Sequence, residues 1–235
     1  MTPALEGFTL AIDAAASLGT VAVLRHRVVL AEAAVPMRGE IEERLFPAVA
    51  AALAEAGCAV TDIRRVVCGA GPGSFTSLRV AAALAKGVAL GNSVAAAETP
   101  LYSVSSLALI VAGGAQPLPP GKYLALLDAM RSEKYAELVE LMPDGCVVEL
   151  ERPNGGLIPT GTVADWCAQL DARALGPDET LLARPHARGV AVMLEDILAA
   201  GPVELDSWEP AYGRLAEAQV RWEAQHGRAL HADGC

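Results

Sequence analysis

The segment Gly69-Ala70-Gly71-Pro72-Gly73-Ser74-Phe75-Thr76 is the part of this chain best equipped for chemistry. It follows the apolar run Val66-Val67-Cys68 and precedes a long alanine-rich stretch, so it reads as a tight turn from strand to helix. Such a turn aims unpaired backbone N–H groups at one spot, where an anion or a partner's carboxylate could bind. It is not a Walker A loop, because no G-K-[ST] follows. Nor do Gly69, Gly71 and Gly73 fit G-x-G-x-x-G. Three readings stand: a phosphate cradle, a docking site, or a plain corner with Ser74 or Thr76 as N-cap. On the local pattern alone, the plain corner is favoured.

Asp13 and Asp128 are the second candidate, each at the end of an apolar run. Together they could form a split carboxylate pair for Mg²⁺, which takes hard oxygen ligands. The alternative is that each bonds nearby turn amides, and only Arg131 stands near enough in sequence to clamp a phosphate. The histidines, His26, His186, His226 and His231, never fall at the i, i+4 spacing that puts two imidazoles on one helix face. The cysteines are five, scattered, and never in a C-x-x-C pair, which argues against a disulfide framework or a zinc site. No nucleophile–base set emerges, and neither a catalytic residue nor a metal site is expected.

The elements that must position these residues follow from periodicity. Thr9–Ile12, Thr20–Leu24 and Val28–Ala33 read as strands, the last two flanking a hairpin turn at His26-Arg27. Ile41, Leu45, Val49, Leu53 and Ala56 recur at helical spacing, ending near Gly57, and Glu40, Glu42 and Glu43 favour that helix's start. Val66–Cys68 is a strand, the glycine turn opens a helix carrying Val80, Leu84 and Val88, and Ser93–Ala97 reads as a further strand. The order is β-β-β-α-β-α-β.

The pattern then restarts. Tyr123–Asp128 resembles Leu10–Asp13 in being an apolar strand ending at aspartate, and a polar turn and a strand (Lys134–Leu141) follow, as Thr20–Leu24 follows the first. Gly113–Pro120 is a loop between the copies. Val190–Ala200 is a helix, and Gly213–Gln225 a last helix that could pack back across the first half. The expected fold class is α/β: a duplicated actin-like fold of the sugar kinase and heat-shock ATPase superfamily, with two mixed-sheet lobes and crossover helices. We expect lobes at 1–103 and 104–207, with a helix at 208–226 returning to the first. In this architecture aspartates at first-strand ends commonly coordinate Mg-ATP, so an ATP-dependent phosphotransferase or ATPase using Asp13 and Asp128 is the alternative function.

Bulk properties narrow the classes. With 235 residues and 53% apolar content, the chain can build a real core. Its formal charge of −10 gives no electrostatic reason to bind nucleic acid by itself. No basic-then-apolar leader and no membrane-length apolar run are visible, so a cytoplasmic location without membrane attachment is expected.

Gly71-Pro72-Gly73-Ser74-Phe75-Thr76-Ser77-Leu78-Arg79-Val80 closely resembles the signature of the TsaB (YeaZ) family of tRNA threonylcarbamoyladenosine biosynthesis proteins. Leu10–Asp13, Pro100–Leu107, Leu127–Tyr135 and Glu209–Arg214 are similar to further family segments in the same order. Two departures stand out: Ser77 where the family usually has glycine, and no histidine around Met37–Glu40. The resemblance implies a non-catalytic subunit that supports TsaD, which transfers threonylcarbamoyl to the adenosine beside the tRNA anticodon, with the small ATPase TsaE in the same assembly. It implies a homodimer when alone, tRNA contacted only through the complex, and no resident cofactor beyond weak ATP or ADP binding in the complex. It also implies an interface on the helices after the glycine turn and over Ile41–Ala56. The expected contact residues are Phe75, Thr76, Leu78, Arg79, Ala82, Ala85, Leu45 and Val49, small Ala81 letting a partner helix approach. Asp13, Gly71, Gly73, Ser74 and Asp128 would be a vestigial nucleotide site.

Overall fold

A computed structural model describes residues 6–37, 44–95 and 98–213. The first half forms β1 (Phe8–Asp13), β2 (Leu18–Arg25), β3 (Val28–Pro36), α1 (Leu45–Glu55), β4 (Ile63–Gly69), α2 (Phe75–Ala95) and β5 (Leu101–Val104). The second forms α3 (Ala108–Ala112), β6 (Gly121–Asp128), β7 (Glu133–Leu141), β8 (Val147–Glu151), β9 (Leu157–Pro159), α4 (Val163–Leu170), β10 (Arg173–Gly176), β11 (Leu181–Leu182) and α5 (Val190–Ala200).

The duplication is real at the level of topology. The first sheet runs β3-β2-β1-β4-β5 and the second β8-β7-β6-β10-β11. In each, the first three strands are antiparallel and the last two add in parallel, as β1 pairs β4 and β6 pairs β10. This is the actin-like lobe twice over. The copies differ at one place that matters. Between β4 and β5 lie the glycine turn and α2, whereas β10 and β11 are joined by only Pro177–Thr180. The long helix belongs to the first lobe alone.

Alternation along the strands sets the layers. Ala11 of β1 and Tyr123, Ala125 and Leu127 of β6 face a shared central core with Leu109, Ile110, Met193 and Leu194 of α3 and α5. Leu10 and Ile12 face the other way, toward α1 and α2, and Leu124 and Leu126 toward α4. Both first strands are buried on both faces, which is why they read as continuous apolar runs.

Two sequence expectations change. The strand expected at Ser93–Ala97 is helix through Ala95, since the alanine-rich run favours it. The Asn92 amide donates to Val60 O (2.7 Å) and the Ser93 hydroxyl to Ala89 O (2.8 Å), which ties down that last turn. The next strand is β5. The expected helix at 208–226 is not helical over 208–213, and its remainder lies outside the described residues, as do Glu40–Glu43. Beyond α5 the chain becomes a strap. Val203 N–H bonds Leu101 O (2.8 Å) on the first sheet's edge, Trp208 packs on the first lobe's outer core, and Ala211 N–H bonds Ala70 O (2.7 Å).

Between β11 and α5, His186 joins the layers. Its Nδ1 accepts the Arg188 N–H (3.1 Å), and Ala187 N–H reaches the Thr20 hydroxyl of β2 (3.0 Å). Burial, and then Arg188, press the imidazole down to about 4 from an ordinary value near 6.5. The folded protein therefore binds this proton less readily than the unfolded chain. The stability it contributes is complete above pH 6.5 and is lost as pH falls toward 4. His186→Gln, which keeps an acceptor, should flatten that acid-side loss in thermal unfolding between pH 4 and 6.5.

Candidate functional site

The glycine turn is held from every side. Ala70 N–H bonds Val104 O (2.8 Å), Gly71 N–H the Ser106 hydroxyl (3.0 Å), and Ser74 N–H Ala15 O (2.8 Å). Gly71 has φ +84, a conformation that costs other residues strain, and the Gly71–Pro72 peptide is cis. Ser74 and Ser77 hydroxyls meet at 2.9 Å where α2 begins, so Ser77, the departure from the family pattern, is tied into the helix start. With its amides at 70, 71 and 74 engaged and Pro72 lacking one, the turn behaves as a fastened corner.

Asp13 is the fastener. It is fully buried, its Oδ1 accepting Ala15 N–H (3.1 Å) and its Oδ2 the Ser106 hydroxyl. Burial pushes its carboxyl up, while Ser106 and Ala15 pull it back. Asp128 is instead exposed at the second lobe's rim, its Oδ1 accepting Met130 N–H (2.9 Å). A cleft of about 750 Å³ opens between the lobes, lined by Gly73, Ser74, Thr76, Asp128, Asp178 and Arg184 among others. Asp13 is not in its wall, so the expected Asp13–Asp128 carboxylate pair is not assembled there, because Gly69 and Ser106 seal Asp13 inside. Gly71 is likewise buried behind the turn, while Gly73, Ser74 and Asp128 do share the cleft. Two carboxylates against one guanidinium make that wall a poor host for a polyphosphate. Among the described residues, no group of three or more His, Cys, Asp and Glu is placed to hold a metal.

The expected contact residues divide sharply. Leu45, Val49, Leu78, Ala82 and Ala85, with Ala81, are buried in this chain's own core, so they set the spacing of α1 and α2 on the sheet and present no free surface. Thr76 and Arg79 are exposed and Phe75 is half-buried. Arg79 lies over the rings of Phe75 (4.5 Å) and Tyr212 (5.8 Å), and those rings sit 4.5 Å apart. The Tyr135 hydroxyl donates to Tyr212 O (3.2 Å), so this stack pins the strap across the turn.

The outward surface is made by residues that local periodicity does not single out. α1 buries Leu45, Ala48, Val49, Ala52 and Leu53 and turns out Phe46, Pro47, Ala50, Ala51 and Ala54, Phe46 being 63% exposed. Beside it α2 turns out Ala83, Gly87 and Leu90, the last 49% exposed, with Val80, Leu84 and Val88 half-covered. A helix apolar on all sides normally lies inside a protein. That signal was present in Leu45–Glu55, whose one charged residue is Glu55.

Residues 39–145 match the family model described as "TsaD: tRNA N6-adenosine threonylcarbamoyltransferase". Over 93% of this chain and 98% of the relative, the sequence is 36% identical to the tRNA threonylcarbamoyladenosine biosynthesis protein TsaB of Escherichia coli. The chain belongs to the TsaB family. The TsaB protein of Bacillus subtilis is 27% identical over 91% of this chain and 96% of its own. The solved structure of YeaZ from Pseudomonas aeruginosa superposes with TM-score 0.65 at 25% identity, covering 88% of this chain and 99% of that one. Membership places this TsaB-family chain in tRNA threonylcarbamoyladenosine biosynthesis. No helix among the described residues is long and apolar enough to cross a membrane.

Proposed function

We propose that this chain is a non-catalytic subunit that docks on and activates a TsaD-type threonylcarbamoyltransferase, with TsaE joining the assembly and tRNA reached through the complex. The observation that carries this is the apolar face of α2 beside α1 that is exposed among the described residues, centred on Ala83 and reaching Leu90. The match of residues 39–145 to the TsaD family supports the choice of partner. Related lobes bearing the same pair of helices can pair about a pseudo-twofold axis, and the chain's own copy fits the same geometry in the partner's absence. The sealed Asp13 supports a supporting role over phosphotransfer. Size-exclusion co-elution with a TsaD-type partner tests the proposal: a 1:1 complex at micromolar concentration is expected, and separate elution at that concentration would defeat it.

A further inference from the structure

The charge on α2 has one sign. Of its 21 residues only Arg79 and Lys86 are charged, and both are basic. They share a stripe with Ala83 and Leu90, at i, i+4, i+7 and i+11, the spacing of a single helix face. Arg79, Ala83 and Leu90 are exposed, and Lys86 is half-covered. The one acid on either helix is Glu55, the last residue of α1. Neither Arg79 nor Lys86 pairs with a carboxylate among the described residues. Arg79 is nonetheless held in place, its guanidinium lying over the rings of Phe75 and Tyr212, so a group that accepts from it need not first order it. On a chain of formal charge −10, this stripe is an island of positive charge.

We propose that Arg79 and Lys86 select the occupant of this face by charge, favouring a partner surface that brings carboxylates to α2 over a second copy of this chain. The inference rests on the docking role proposed above. A second copy pairs through the same face about a twofold axis. With that axis at Ala83, α2 packs antiparallel on α2, and residues before Ala83 in one copy lie beside residues after it in the other. Ala83 meets its own mate on the axis. Arg79 of one copy comes beside Lys86 of the other, and the contact occurs twice. Like charges brought together out of water cost affinity. A partner that presents carboxylates turns both positions into attractions. The Arg79 fork can donate two N–H bonds to one carboxylate, and Lys86 adds a compact point charge.

Lys86→Glu acts on the two pairings in opposite directions. Between copies, the introduced carboxylate meets Arg79 twice, so self-association read by analytical ultracentrifugation should tighten about tenfold. Against a TsaD-type partner, titration calorimetry at low salt should show affinity weakened about tenfold, with the gap from wild type narrowing as salt is raised. Lys86→Gln, which removes the charge without reversing it, should move both constants the same ways by less. Glutamate and glutamine are good helix formers, so the thermal midpoint should hold in both variants. Self-association that weakens alongside partner binding would show only a damaged apolar contact and would overturn the proposal, as would an unchanged affinity of Lys86→Glu for the TsaD-type partner. A wild-type chain that forms no complex with that partner defeats the docking role itself, and the charge selection with it.

Discussion

Gly69→Ala is expected to unfold the first lobe. A Cβ at this position would lie 1.9 Å from Asp13 Oδ2, 2.8 Å from Asp13 Cγ and 2.9 Å from the Ser106 hydroxyl. None of these can yield cheaply. β4 is paired on both sides, to β1 and β5, so its backbone cannot slide, and Asp13 is fully buried with both oxygens bonded. Overpacking of this severity costs about 3–5 kcal/mol, the upper end of single-residue effects. Chemical denaturation should show a midpoint lowered without a matching change in slope, or no folded protein at all. The cause can be separated from a general intolerance of Cβ in the strand by a double-mutant cycle. Asp13→Ala removes the atoms struck, so the pair should be much less damaging than the sum of its single changes. Strict additivity would mean that Asp13 is not what the glycine accommodates.

Ala83→Glu has the complementary signature: a folded chain that no longer docks. Ala83 is exposed in the middle of α2, and glutamate is a good helix former, so stability should move by less than about 0.5 kcal/mol. Trapping an unpaired carboxylate at the centre of an apolar interface, however, costs about 3–4 kcal/mol. Affinity for a TsaD-type partner, and for a second copy of the chain, should drop by about two to three orders of magnitude in titration calorimetry. The control is Leu182→Glu on the far lobe, where the leucine is 77% exposed on the short strand β11, and binding should not change. Equal loss in both variants would locate the interface elsewhere.

The first result probes the end of β4 and the second the outer face of α2, and that division explains what could be read from the chain. Strand identity was legible because Leu10–Ile12 and Tyr123–Leu127 are buried on both faces and so read as unbroken apolar runs. The repeat was legible because each run ends in aspartate before a polar turn. The roles of those aspartates were not. Asp13 and Asp128 look alike in sequence, yet one is sealed by Gly69 at the end of β4 and by Ser106 after β5, and the other stands exposed at the cleft rim. The helix faces failed for another reason. In a run such as Ala81-Ala82-Ala83-Leu84-Ala85 the periodicity carries almost no contrast, so which alanines face the sheet is decided by the orientation of α2 on β4 rather than by residue type. Phe75 and Arg79, picked as anchors for a partner, are occupied within the chain by Tyr212, more than a hundred residues away in sequence and invisible to local pattern.

The proposal of a non-catalytic activator is tested most directly by reconstituted modification of tRNA. A TsaD-type enzyme, TsaE, ATP, a threonylcarbamoyl donor and tRNA are combined with and without this chain, and threonylcarbamoyladenosine is quantified by mass spectrometry. Modification is expected only when this chain and the TsaD-type enzyme are both present, none from this chain alone, and a collapse to background with Ala83→Glu. Product formed by this chain without the enzyme, or an unchanged yield when the chain is left out, would contradict the account.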